Sequence, residues 1–172
     1  MSTNHDIFAL QDALENLSNR LTTIEGQYEP LPTIRFHSEH DLATPNRAHA
    51  EDAGWDLRAV EPWTVPVGTI RRIPTGVTVD LPPGTYGMIC SRSGLVAKHG
   101  LAVANAPGII DSGYTGEILV ALINHGREAY HLEPGDRIAQ IVFGRVDLVN
   151  VLGGDTLESD SRGDGGHGSS GR

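Results

Sequence analysis

The chain has 172 residues, a length that suits one domain with a buried core and short appendages. Its formal net charge is −9, from 13 basic and 22 acidic side chains, which argues against binding nucleic acid or a membrane surface. The single cysteine allows no disulfide within the chain, and no signal peptide or apolar membrane span occurs. We therefore expect a soluble protein of the cytoplasm, or of the host cytoplasm if a phage encodes it.

Residues 1–30 predict an amphipathic helix. Apolar side chains recur at alternating spacings of three and four from Ile7 to Ile24, which is the heptad period of a coiled-coil seam. Gly26 is a helix stop signal, and Pro30 lies beyond it. Fewer than three heptads are marginal alone. Two interpretations stay open: the helix packs on its own domain, or it forms a short coiled coil within an oligomer. It is also where we would look for a protein partner.

From residue 31 to residue 151 the pattern changes to short β-type runs, with clear turns at 82–84 and 134–136. The eight predicted strands are Thr33–His37, Thr69–Ile73, Val77–Leu81, Tyr86–Cys90, Leu101–Ala104, Glu117–Ile123, Arg137–Phe143 and Arg145–Val151. Inside this region only Ser93–His99 is predicted to be helical. Many short strands without helical connectors predict an antiparallel sandwich or barrel. Residues 152–172 are poor in apolar side chains and predict a flexible Gly/Ser-rich tail.

Four segments of the β region carry groups that suit phosphate or nucleoside chemistry. They are Asp52–Leu57, Arg92–Leu95, Asn105–Glu117 and Asp136–Gln140. The second segment joins a guanidinium, a hydroxyl and backbone N–H groups at the start of the predicted helix, as in a phosphate cradle. The third predicts a hairpin that holds an amide, a carboxylate and an aromatic ring. Each segment alone also has a plainer structural interpretation, as a turn, a surface ion pair or a loop cap.

The tail adds a fifth set of groups. Within a run of glycines it holds the guanidinium of Arg162 and the hydroxyls of Ser169 and Ser170. Arginine matches phosphate oxygens with paired donors, and glycine lets the backbone approach a ligand closely. Such a segment can wrap a polyphosphate and become ordered on contact. Taken alone, an ordinary disordered tail is the alternative.

In order and spacing, these five segments resemble the motifs of the homotrimeric dUTPase family, in the variant seen in actinobacterial members, and the resemblance extends over residues 33–172. It implies an all-β, jelly-roll-like fold that forms a homotrimer, with three active sites between subunits and a tail that closes a neighbour's site. It further implies that dUTP is the substrate and Mg²⁺ the cofactor. Hydrolysis to dUMP and pyrophosphate would supply dUMP for thymidylate synthesis and keep uracil out of DNA.

The resemblance also implies roles for single residues. Asp111 would be the general base for the water that attacks the α-phosphorus, and Tyr114 would leave no room for a 2′-hydroxyl. Asp56 would bind a water on Mg²⁺. The uracil would contact Asn105, Gly108, Ile109 and Ile110, with Leu119 lining that segment. The phosphates would contact Arg92, Ser93, Gly94 and Gln140, and the γ-phosphate would be clamped by Arg162, Ser169 and Ser170.

Three further residues have separate predictions. His167 stands where the family usually has a phenylalanine that stacks over uracil. An imidazole ring can still stack, with less apolar area and with a charge that changes near neutral pH. Asp136 and Arg137 are predicted to be structural, in an ion-pair network near the subunit contact.

Two alternative functions stay open. The dCTP deaminases share the fold, but they carry a catalytic glutamate where Ala121 aligns and a second serine where Gly94 stands. Both differences argue against deamination. A regulatory protein of the dUTPase fold, which binds a nucleotide and a protein partner, is the second alternative. The intact set of Asp56, Ser93, Asp111 and Arg162 favours an active enzyme and is compatible with a second role.

Overall fold

The computed structural model describes residues 14–15, 17–18, 32–147 and 149–154. Leu14, Glu15, Leu17 and Ser18 are helical, as predicted for these four positions. The rest of the predicted N-terminal helix lies outside the described residues. So does the tail from residue 155, including Arg162, His167, Ser169 and Ser170. Among the residues that the structure describes, no helix has the length and apolar character needed to cross a bilayer.

The described β region confirms the all-β prediction. Its strands are β1 (Arg35–Ser38), β2 (Gly54–Arg58), β3 (Trp63–Val65), β4 (Ile70–Pro74), β5 (Val77–Asp80), β6 (Thr85–Cys90), β7 (Leu101–Val103), β8 (Gly108–Asp111), β9 (Leu119–Asn124), β10 (Tyr130–Leu132) and β11 (Arg137–Arg145). Helix α1 spans Ser93–His99, and a 3-10 helix spans Asp41–Ala43. All strand pairs are antiparallel, and they form four small sheets in the orders β1–β5, β10–β3, β2–β11–β6–β8 and β4–β9–β7.

Alternating side chains build one core between these sheets. Along β6 every second residue is buried, which is the period that a pleated strand imposes on its two faces. Burying one such aliphatic side chain contributes roughly 1.5–3 kcal/mol. The largest fully buried apolar side chains are Leu57, Ile73, Leu101, Ile118, Leu122, Leu132, Ile138, Ile141, Val65, Val77 and Val120.

Seven of the eight predicted strands overlap observed ones, and α1 has the predicted bounds. The eighth prediction, Arg145–Val151, is wrong after its first residue, because β11 ends at Arg145 and the described residues after it form no strand. The valines that suggested a strand there are open to solvent: Val146 is 41% exposed and Val151 is 88% exposed. Apolar residues that alternate along the chain form a strand only when a neighbouring strand hydrogen-bonds to them, and the described residues provide none here.

The prediction of a hairpin at Asn105–Glu117 is wrong as a strand pairing. The β8 arm of this segment pairs with β6, whereas the following β9 lies between β4 and β7 in another sheet. The tight turn itself is present: the Tyr114 N–H donates to the Asp111 carbonyl at 3.2 Å, and Gly113 has a φ of 88°. The segment is therefore a crossover between two sheets that leaves β8 on an edge.

Candidate functional site

The largest sheet brings two predicted site residues, Asp56 and Gln140, into one row with Cys90. Gln140 on β11 is the direct partner of Asp56 on β2 and of Cys90 on β6, so the three side chains project from the same face. The Gln140 amide donates to the Ser91 carbonyl at 3.2 Å and lies over Gly54. A Cβ at residue 54 would collide with that amide. The glycine thus gives Gln140 room to lie across the neighbouring strand.

Two guanidinium groups hold the Asp56 carboxylate. The Nε of Arg92 donates to Oδ1 at 2.9 Å, and Nη1 of Arg137 donates to Oδ2 at 3.2 Å. The Asp56 side chain is only 13% exposed. A carboxylate so little hydrated is stable when charged partners and hydrogen bonds replace its water. The two arginines provide that replacement.

A cleft of about 390 Å³ opens beside this carboxylate, and we call it the arginine cleft. Its volume falls within the ordinary range of small-molecule sites. It is lined by Ala48, Asp52, Ala53, Gly54, Asp56, Arg92, Ser93, Gly94, Arg137, Gln140 and Val142. The predicted metal residue and all four predicted phosphate residues outside the tail therefore share one cavity.

Ser93 and Gly94 enter the cleft at the first turn of α1. Arg92 precedes the helix in extended geometry, and no side chain caps its N-terminus. Both Ser93 and Gly94 are exposed, and no described atom lies within 4 Å of the place that a Cβ on Gly94 would take. Nothing in the described chain thus requires glycine there. A ligand that approaches the backbone closely at this position would require a glycine.

The predicted base and sugar residues lie elsewhere, on the edge segment, residues 105–119. Within β8, Ile110 packs against the core while Ile109 and Asp111 project outward. The Asn105 amide lies against Gly108, with Nδ2 3.1 Å from the place of a Cβ there. Tyr114 is 45% exposed and Leu119 is 44% exposed. The edge segment therefore presents a carboxylate, an amide and apolar groups to solvent.

One chain does not bring these two sets of residues together. Asp111 pairs with Tyr86, four residues along β6 from Cys90, and β8 lies three strands from β2. At about 3.3 Å per residue and 4.8 Å per strand, the Cα atoms of Asp56 and Asp111 are roughly 20 Å apart. No predicted residue of the edge segment lines the arginine cleft.

Comparison with known proteins identifies the family to which the chain belongs. The family model described as dUTPase matches residues 40–171. This chain belongs to the dUTPase family. The deoxyuridine 5′-triphosphate nucleotidohydrolase of Solibacter usitatus is 48% identical over 142 residues, which cover 81% of this dUTPase and 96% of that relative. The predicted membership of the family, with its nucleotidohydrolase activity class, is confirmed.

Solved dUTPases have the same fold. The dUTPase of Staphylococcus bacteriophage 80alpha, in complex with dUPNHPP, is 28% identical and superposes with a TM-score of 0.74 over 81% of this chain and 99% of that one. A mutant dUTPase of phage phi11 of S. aureus is 25% identical, with a TM-score of 0.67 over 74% and 100% of the two chains. It is described as revealing the coordination of a structural Mg(II) ion. The likeness to both confirms the predicted fold.

The structure changes the prediction for Asp136 and Arg137. In this dUTPase Arg137 belongs to an ion-pair network, as expected, but the network lies in the arginine cleft with Asp56 and Arg92. Asp136 is not in it, because its carboxylate accepts a hydrogen bond of 2.9 Å from the N–H of Glu133 and closes a turn. Asp52 and Val142 also line the cleft and were not predicted to do so individually.

Proposed function

We propose that this dUTPase hydrolyses dUTP to dUMP and pyrophosphate in sites that two or more copies of the chain build together. One observation carries the proposal: the Cα atom of Asp111 lies roughly 20 Å from that of Asp56 in the arginine cleft. A base that acts on the α-phosphorus must stand within hydrogen-bond reach of the attacking water. A second copy that places its edge segment over the first copy's cleft satisfies that requirement.

Symmetric closure supports a ring of copies rather than an open chain of them. The contact joins two different surfaces, an edge segment on one copy and a cleft on the next, so it is heterologous. Such contacts form a ring when the rotation closes. The family resemblance implies three subunits, and a threefold ring gives each cleft one partner edge segment. The exposed side chains of Ile109, Tyr114 and Leu119 would then be covered by a neighbour or by the nucleoside.

In the proposed reaction Asp111 accepts a proton from a water molecule. The water oxygen forms a bond to the α-phosphorus, the bond from that phosphorus to the bridging oxygen breaks, and pyrophosphate leaves. A positioned base of this kind accelerates a reaction by about 10²–10⁴-fold. The remaining acceleration would come from orientation and from Arg92, Ser93, Gly94 and Gln140, whose donors would face the phosphate charge.

The cleft suits a magnesium ion that arrives with the triphosphate. Among the described residues, no group of three or more His, Cys, Asp or Glu side chains is placed to hold a metal ion. Mg²⁺ seldom needs such a cage, since it keeps several waters and binds one or two carboxylates plus substrate oxygens. Asp56, in the cleft wall, would hold it through a water molecule. When bound, the ion would neutralise charge on the phosphates.

The edge segment accounts for substrate choice in this proposal. Asn105 and the backbone of Gly108, Ile109 and Ile110 would pair with the uracil edge. A wrong base would leave buried polar groups unpaired, which discriminates strongly. Tyr114 would exclude the 2′-hydroxyl of UTP. In the tail, outside the described residues, Arg162, Ser169 and Ser170 would contact the γ-phosphate and His167 would stack on the base.

A pyrophosphate-release assay with dUTP, dCTP, dTTP and UTP tests the proposal. We expect turnover of dUTP at least about 10²-fold above the other three nucleotides, since both base and sugar are read. Release of ammonia from dCTP would instead favour the deaminase alternative. Binding of dUTP without turnover would favour a regulatory protein, with a partner at the N-terminal helix. A cytoplasmic location follows from the substrate, which belongs to the nucleotide pool for DNA synthesis.

A further inference from the structure

We propose that Arg137 is a positioning residue of this active site, which holds the Asp56 carboxylate in place for a water on Mg²⁺ and orients the Arg92 guanidinium toward the substrate's phosphates. The inference rests on the proposed function, since it concerns the cleft that would receive those phosphates. Arg137 would act through its two neighbours rather than on the reacting atoms. Three observations support this role: a strand irregularity, a pair of contacts and the exposure of the three side chains.

The irregularity is a β-bulge in β11. Arg137 pairs with Arg58 on β2, but the next pair joins Ala139 to Leu57, so one extra residue, Ile138, is inserted. Ile138 and Ala139 are both buried, at 1% and 0% exposure. In a regular strand, counting back from Gln140, Arg137 would point into the core. The bulge instead turns its side chain toward the cleft, and bulges beside active sites often re-aim a side chain in this way.

Arg137 contacts both neighbours, through two different groups. Its guanidinium donates to Oδ2 of Asp56 at 3.2 Å, and its backbone carbonyl accepts from Nη1 of Arg92 at 3.3 Å. Arg92 itself donates through Nε to Oδ1 of Asp56 at 2.9 Å. The three residues thus form a closed triangle, in which each carboxylate oxygen of Asp56 has a different arginine.

The pairing of each Asp56 oxygen with a different arginine decides how many N–H groups of Arg92 are free to bind a phosphate. With Oδ2 bound to Arg137, Asp56 engages Arg92 through Oδ1 alone. Without Arg137, both carboxylate oxygens could turn to Arg92, because arginine favours two parallel bonds to a carboxylate. The guanidinium would then be drawn away from the phosphates. Arg137 is also the most exposed of the three, at 45% against 24% for Arg92, so its removal leaves no large cavity.

The test compares Arg137→Ala and Arg137→Lys with the control Arg72→Ala, which removes an exposed arginine of β4 that does not line the cleft. For each variant, steady-state rates give KM and kcat separately. Calorimetry measures binding of α,β-imido-dUTP with and without Mg²⁺, and thermal melting reports folding. We expect Arg137→Ala to weaken analogue binding and raise KM by about 10- to 100-fold, as for the loss of a charged hydrogen bond. Arg137→Lys should recover part of this, since lysine restores the charge but not the two-pronged geometry.

Combining Arg137→Ala with Arg92→Ala separates positioning from an independent contact. If Arg137 acts through Arg92, the double variant should bind the analogue about as weakly as Arg92→Ala alone when Mg²⁺ is left out, since Asp56 then has no metal-bound water to hold. If the fold-losses in analogue binding of the two single variants multiply in the double variant, that result would overturn the inference. So would an Arg137→Ala protein with the KM of the Arg72→Ala control, or, should Arg137→Ala fail to fold, an Arg137→Lys protein with the parent's KM. A parent protein that neither binds the analogue nor hydrolyses dUTP would instead refute the proposed function.

Discussion

The ring of Tyr114 lies directly over Gly116: a Cβ at residue 116 would stand 2.6 Å from the tyrosine hydroxyl oxygen. That hydroxyl donates a hydrogen bond of 2.9 Å to the carbonyl of Glu117. The Glu117 side chain is itself fixed, since its Oε1 accepts from the Gly76 N–H at 2.7 Å. Contacts within the chain therefore orient the ring before any nucleotide binds.

We expect Tyr114→Ala to erode discrimination against UTP more than it slows hydrolysis of dUTP. Deleting the ring opens the space that a 2′-hydroxyl would need, and steric exclusion by one side chain is worth about 10–200-fold. The ratio of kcat/KM for dUTP over kcat/KM for UTP measures this. An unchanged ratio would mean that some other group excludes the hydroxyl.

Gly116→Ala is the matched variant for the same prediction, because it moves the ring without removing it. We expect the dUTP/UTP ratio to fall in the same direction and by less than in Tyr114→Ala. The substitution is otherwise undemanding, since Gly116 does not have a positive φ. A dUTP/UTP ratio equal to the parent's would show that contact with the substrate is enough to orient the ring.

The separation of Asp111 from Asp56, the ion-pair partner of Arg92, leads to a complementation experiment. Asp111→Asn keeps the shape of the side chain and removes the base, so it should bind α,β-imido-dUTP nearly as well as the parent while turnover falls by about 10²–10⁴-fold. Arg92→Ala should lose most of its turnover because it binds the substrate's phosphates weakly. If each site takes Asp111 from one copy and Arg92 from another, co-refolded mixtures of the two variants regain some intact sites.

Random mixing at equal amounts should restore roughly one quarter of the parent's activity per site, because both functional residues meet in one site with that frequency. Each variant refolded alone is the control. Mixtures that stay as inactive as their components would contradict a shared site and would favour cleft and edge segment meeting within one chain. Sedimentation of the mixture checks that oligomers have formed.

Local patterns in the sequence predicted the regular elements well, because alternation and turn residues are local signals. The β6 run around Tyr86–Cys90 and the helix Ser93–His99 are examples. The strand β2 was missed: its Gly54 and Asp56 were interpreted as a turn, although Trp55 and Leu57 alternate with them. The polar residues of this strand, Gly54 and Asp56, face a cleft rather than bulk water. Residues placed there for function therefore obscure the alternation that would have predicted a strand.

Two features of the site could not be predicted from the sequence. The bulge that turns Arg137 outward depends on Ile138 and Ala139 both being buried, and two adjacent apolar residues give no sign of it. The pairing of β8 with β6 joins segments about 20 residues apart, and strand partners are a property of the folded sheet. The family resemblance supplied the site residues, and the structure supplied their separation.

The buried side chain of Asn124 should be a determinant of stability. Its Nδ2 donates to the carbonyls of Val65 and Glu128, each at 2.8 Å, and its Oδ1 accepts from the Gly126 N–H at 2.8 Å. We expect Asn124→Ala to lower the free energy of unfolding by about 2–4 kcal/mol, because a buried side chain is lost and three backbone groups, of which the Val65 carbonyl is buried, lose their partner. His125→Ala, at an exposed neighbour, should cost under about 0.5 kcal/mol.

Urea unfolding at one fixed protein concentration measures both variants, since the stability of an oligomer depends on concentration. Asn124 does not line the arginine cleft and lies in another sheet, so kcat/KM of the folded fraction should stay within about twofold of the parent. A loss below about 0.5 kcal/mol in Asn124→Ala would show that water takes over the lost hydrogen bonds.

Removing residues 161–172 should separate folding from catalysis. The buried apolar residues among the described ones lie between Ala43 and Ile141, so this truncation removes none of them. We therefore expect the melting temperature and the oligomeric state to stay as in the parent. Turnover of dUTP should fall by about 10²-fold or more, because the tail carries Arg162, and losing one donor to a developing charge has that size of effect. Arg162→Ala in the full chain is the matched variant and should account for most of the loss.

Full activity in the truncated protein would show that the arginine cleft and the edge segment suffice. A protein that unfolds would show instead that the tail helps to hold the subunits together.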